Sequence, residues 1–160
     1  MSEISCEKYR QLYPEFSNYP IPREVWETDE WLEWRSHTHY CKSCEDWSMA
    51  NEIRERGFSI ANFPCVHITY YVTFNCEQHP NRYECPDIII DYDARFDEYS
   101  IAPRGGHGND IMIQYCPWCG KKLPASKRDL WFKTLESLGY DDPVSQEIPK
   151  EFETDEWFQS

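Results

Sequence analysis

Eight cysteines and five histidines are the residues of this 160-residue chain whose types and spacing can do chemistry. Four of the cysteines form two CxxC pairs, Cys41 with Cys44 and Cys116 with Cys119. Two thiolates separated by two residues can bite one tetrahedral ion, and two such pairs complete a four-thiolate shell whatever the length of chain between them. The spacing therefore predicts one zinc ion held by Cys41, Cys44, Cys116 and Cys119. A filled shell leaves no open position for water, so the ion is expected to be structural. In CPWCGKKL the proline stiffens the turn, while Gly120 can take the positive φ angle that lets backbone amides point at sulfur.

Other chemistries fit less well. Cys116-Pro-Trp-Cys119 also resembles the active-site CPxC of glutaredoxins, but a redox CxxC needs a helix that begins at its first cysteine. Pro124 obstructs such a helix, and only 41 residues follow Cys119. Zinc deaminases join PCxxC to HxE. Here Tyr115 precedes Cys116, and none of the five histidines has a glutamate two residues on. Cys76, His79 and Cys85 form a second candidate metal site, with Cys65 and His67 shortly before them. Cys76 and His79 have chelate spacing, yet no second tight pair completes the set, so a loop held by packing is the other reading. His107 in RGGHGND can approach a ligand, although a hairpin turn explains the surrounding glycines equally well.

The elements that must position these groups can be read from capping and periodicity. A short helix is expected around Glu7 to Tyr13, and Thr28 caps another with Asp29 and Glu30 in its first turn. CEDWSMANEIRER reads as a helix over 44–56 stopped by Gly57. The runs VHITYYVTF, DIIIDY, DEYSIA and DIMIQY are short and rich in β-branched and aromatic residues, which predicts about four antiparallel strands. Ser126 and Asp129 fit a capping box before a helix carrying Trp131, Leu135 and Leu138, with Gly139 ending it. The expected fold is α+β: a small antiparallel sheet with flanking helices, stapled by a zinc-ribbon-like four-cysteine site. Its expected parts are an extension over 1–38, a zinc-binding domain over 39–140, and an acidic tail over 141–160 that packs on the domain.

Charge bounds the function. Acids outnumber bases 29 to 16, giving a formal charge of -13 that repels phosphate, so nucleic-acid binding lacks its main driving force. No run approaches the length of a membrane span, the start MSEISCEKYR has no apolar stretch of signal-peptide length, and CxxC pairs suit a reducing compartment; a cytoplasmic location is expected. One internal repeat stands out: IPREVWETDEWL at 21–32 and IPKEFETDEWF at 148–158. Either both strips dock on their own core, or they present Asp29, Glu30, Asp155 and Glu156 around Trp31 and Trp157 to a partner.

HYCKSCEDWSM, NCEQHP with ECPDIIIDY, RFDEYSI, IMIQYCPWCGKKLPASKRDLWFKTLESLG and IPKEFETDEWF together resemble an uncharacterised family of small bacterial and phage-associated proteins with a C-terminal CPWCGKKLP zinc-knuckle motif. The resemblance spans about residues 39–160. It implies a compact metal-binding domain and supplies no catalytic residues. The expected function is an acidic, zinc-binding protein-interaction protein that is not an enzyme, of the kind that neutralises a bacterial toxin or other basic enzyme as an immunity or inhibitor protein. The alternative is a zinc-dependent or thiol-redox enzyme using Cys116 and Cys119.

Overall fold

The structure is a computed structural model that describes residues 4–102 and 110–159; the His107 loop lies outside them. The chain divides into two compact units, Met1–Gly57 and Phe58–Ser160.

The first unit is helical. Ser5 opens α1 (Cys6–Phe16), accepting a hydrogen bond from the Lys8 amide at 3.2 Å. A short α2 (Arg23–Trp26) leads to α3 (Asp29–Tyr40), where Thr28 accepts from the Trp31 amide at 3.2 Å and Asp29 and Glu30 face the positive helix end. The chain then turns at Cys41 into α4 (Lys42–Glu55). Gly57 follows it at φ +84°, a conformation that glycine adopts without strain. Tyr9, Tyr13, Phe16, Trp31, Trp34 and Cys44 form the core of this unit. Aromatic geometry fixes α1 on its neighbours: Tyr9 stacks on Trp34 at 5.2 Å, Tyr13 meets Trp47 edge-on at 5.1 Å, and the Trp34 indole donates to the Tyr9 carbonyl at 3.0 Å.

The second unit is α+β. Its sheet has three strands among the described residues, in the order β1 (Ile90–Asp93), β2 (Glu98–Ile101), β3 (Ile111–Met112), all antiparallel. The fourth expected strand is instead a helix, α5 (Val66–Val72). VHITYYV has strand-like composition, but helical spacing puts His67 and Tyr71 on one face, where both rings stack with Trp118 at 6.2 and 4.2 Å. The Thr69 and Thr73 hydroxyls donate to carbonyls four residues back, so these polar residues stay buried with their bonding satisfied. Tertiary packing has overridden propensity.

After β3, a turn carrying Cys116 and Cys119 is closed by a bridge between Tyr115 and Lys122. Helix α6 (Arg128–Ser137) follows, with the Ser126 hydroxyl accepting from the Arg128 amide at 3.1 Å and Gly139 at φ +93° beyond its end. The acidic tail packs on this helix. Phe152 is buried with Phe96, Trp131 and Leu135, and the Trp131 indole donates to the Phe152 carbonyl at 2.9 Å. A last helix, α7 (Glu156–Gln159), places Trp157 stacked on Phe152 at 5.6 Å. No described helix is long and apolar enough to cross a membrane.

Candidate metal centres

All eight cysteines are free thiols, and they fall into three groups with histidine whose ligand atoms lie within 4.8 Å of one another. Tetrahedral zinc with Zn–S bonds of about 2.3 Å keeps its sulfurs roughly 3.8 Å apart, so this clustering fits one small ion per group.

The first group is Cys6, His37, Cys41 and Cys44, entirely within the helical unit. Its geometry follows from two helix junctions. Cys41 ends α3 and begins α4, so His37 lies one turn before it and Cys44 one turn after it. The aromatic core between α1 and α3 then brings Cys6 to the junction, with its Sγ 3.5 Å from that of Cys41. Hydrogen bonding from the Cys44 amide, with the Cys6 thiol next, holds Cys41 below its ordinary value. Burial, and then the Cys6 and Cys41 thiols, push Cys44 up to about 11. The His37 Nε2 is buried and has no hydrogen-bond partner among the described residues, which suits a ligand atom.

The second group is Cys65, His67, Cys116 and Cys119, within the α+β unit. Cys65 and His67 come from the start of α5, and the other pair from the turn after β3. Two backbone bonds tighten that turn: Cys116 N to Lys121 O at 2.8 Å and Gly120 N to Cys116 O at 2.9 Å. Gly120 has φ +69°, as the motif requires. Trp118, between the cysteines, stacks on the α5 rings and so docks the turn beside Cys65. Burial pushes the Cys65 thiol up to about 12, with the nearby Cys116 and Cys119 thiols adding to it. No helix starts at Cys116, so the dipole that activates a redox CxxC is missing from this turn.

The two CxxC pairs therefore do not share a group. The four-cysteine shell expected from the spacing of Cys41, Cys44, Cys116 and Cys119 stands beside this grouping, in which each pair lies next to a cysteine and a histidine of its own unit. Cys6 and His37 went unread as ligands; the available signal was the four-residue step from His37 to Cys41, which puts both on one helix face. Cys65 and His67, which the sequence places shortly before Cys76, His79 and Cys85, are grouped by the structure with Cys116 and Cys119.

The third group, Cys76, His79 and Cys85, is the second candidate site read from the sequence, and the structure brings its three residues together. Both ETDEW tryptophans pack within their own unit. Trp31 is 6 % exposed and belongs to the first core, and the Trp157 indole donates to the Arg95 carbonyl at 2.8 Å while its ring covers Phe152. The strips turn Asp29, Glu30 and Glu156 outward, with Asp155 half-buried, and the first strip also exposes Trp26 and Leu32.

A family model described as a domain of unknown function (DUF6980) matches residues 62–160, and the chain belongs to that family. The match covers the second and third cysteine groups and leaves the first outside it. No curated protein and no solved structure matches the chain.

Proposed function

We propose that this chain is a zinc-stapled, acidic protein-interaction protein, whose two four-ligand centres are structural and whose partner is a basic protein. The observation that carries the reading is that both four-ligand groups offer three thiols and one imidazole, which fill a tetrahedral ion and leave no position for a substrate. Units of this size need such staples. A 57-residue helical unit buries too little apolar surface to be robust alone, and closing Cys6 onto the α3–α4 junction fixes α1 in place. Three thiolates against one divalent ion leave each centre at about -1, so loading with zinc does not neutralise a chain of charge -13.

An acidic surface of this kind speeds encounter with a basic partner and supports the reading of an immunity or inhibitor protein opposing a bacterial toxin or other basic enzyme. A zinc-dependent or thiol-redox enzyme using Cys116 and Cys119 has less support, since that pair sits on a tight turn beside two further ligands. The test is affinity capture with the zinc-loaded chain from its native host, followed by binding kinetics with the captured protein. The reading expects a basic protein whose association rate falls steeply between low and physiological salt while dissociation changes less. A captured partner of acidic charge, or an association rate indifferent to salt, would contradict it.

A further inference from the structure

The third cysteine group differs from the other two in number of ligands and in what holds it. Cys76 and His79 share one turn, with Cys76 Sγ 3.1 Å from His79 Nδ1, and Cys85 joins them from the end of the same loop. No fourth cysteine, histidine or carboxylate joins the group among the described residues. Cys85 is buried, but Cys76 and His79 are only half-buried, so the group reaches the surface. Arg82 fastens the loop from within. Its guanidinium donates to the carbonyls of Phe74 at 2.6 Å, Ile90 at 3.0 Å and Tyr71 at 3.4 Å, and pairs with Asp91 at 3.6 Å. The loop is thus tied to the end of α5 and to β1 by bonds that do not depend on a metal, and its ligands are preorganised.

We propose that Cys76, His79 and Cys85 bind a third zinc ion whose fourth coordination position is taken by a ligand from outside the chain. That ligand is water in the free protein and is exchangeable for a neutral nitrogen donor of the imidazole type. Three protein ligands with an open position are the coordination pattern that lets zinc exchange a ligand. Neutrality follows from the surroundings. Two thiolates and one divalent ion sum to about zero, and exposed Glu77, Glu84 and Asp87 flank the ligands while the guanidinium of Arg82 is engaged inside the loop. An incoming anion meets that field unfavourably, whereas a neutral imidazole does not. The proposal rests on the preceding reading only in that thiol groups of this chain take zinc.

The experiment uses the full chain loaded with zinc or with cobalt(II), a spectroscopic substitute. Native mass spectrometry should count three zinc ions, of which a chelator removes one well before the other two. Titrating the cobalt form with imidazole should shift the visible absorption of one ion in three and saturate at one imidazole per chain. The Cys76→Ser, Cys85→Ser variant should hold two ions and show no imidazole response, with near-UV circular dichroism reporting its fold. His79→Gln provides the same readout with the buried thiol retained. Two ions in the unmodified chain would overturn the third site and leave the structural centres standing, whereas no ions would overturn both. Three ions with no imidazole response would overturn the open position, since a further group of the chain would then close the shell.

Discussion

Burial sets the terms on which individual thiols take a metal. Metal-free Cys44 and Cys65 lie at about 11 and about 12, so both carry protons at neutral pH that zinc must displace. Zinc affinity of the two four-ligand centres should therefore fall by at least about tenfold for each pH unit of acidification, measured by competition with a chromophoric chelator. An affinity independent of pH would contradict this protonation state. A different residue governs acid stability. Burial disfavours charge on Glu98, but Arg128 donates to both of its carboxylate oxygens at 3.0 and 2.5 Å and Ser126 to one at 2.5 Å, and the net effect holds it below the usual carboxylate range. A depressed carboxylate contributes stability above its unfolded value and loses it as pH falls through the folded one. Glu98→Gln should thus cost about 1–3 kcal/mol at neutral pH, and the gap from the unmodified chain should narrow in acid. Denaturant titrations at the two pH values measure it, and a gap unchanged by pH would count against the pairing.

The elements show how a tail with seven acids is nevertheless held. Trp131 on α6 donates to the Phe152 carbonyl, and Trp157 on α7 donates to Arg95, so two indoles pin the last turns onto the second unit. Trp131→Phe should cost about 1 kcal/mol and expose the tail to limited proteolysis, with the zinc count unchanged. A tail cleaved at the same rate in both proteins would mean the bond does not hold it. The caps at Thr28, Gly57 and Gly139 were legible in sequence and set helix ends where they were expected. VHITYYV was not legible. Seven residues are too few to show a helical period, and its β-branched composition speaks for a strand until Trp118 is known to lie against His67 and Tyr71. The CxxC pairs were recognisable as chelating pairs because their spacing is local. Their completion was not, since Cys6 reaches Cys41 only through the packing of α1, and Cys65 reaches Cys116 only through the docking of the turn on α5.

At the scale of the whole molecule, each of two small units carries a three-thiol, one-imidazole group beside its own hydrophobic core, and on the proposed reading a metal there supplements that core. Removing zinc with a strong chelator should lower the melting temperature by more than about 10 °C. An unchanged transition would show that the metal holds nothing together. The family match begins after the first centre, so a chain cut to residues 58–160 retains every ligand of the second. The central claim is that the two CxxC pairs serve separate ions, and zinc counting in the Cys41→Ser, Cys44→Ser variant tests it most directly. The account predicts that native mass spectrometry finds one ion fewer than in the unmodified chain, with the ion bound by Cys116 and Cys119 still in place and lost only when those two are replaced as well. Loss of that ion on replacing Cys41 and Cys44 alone would mean that the four cysteines share one shell, and would contradict it.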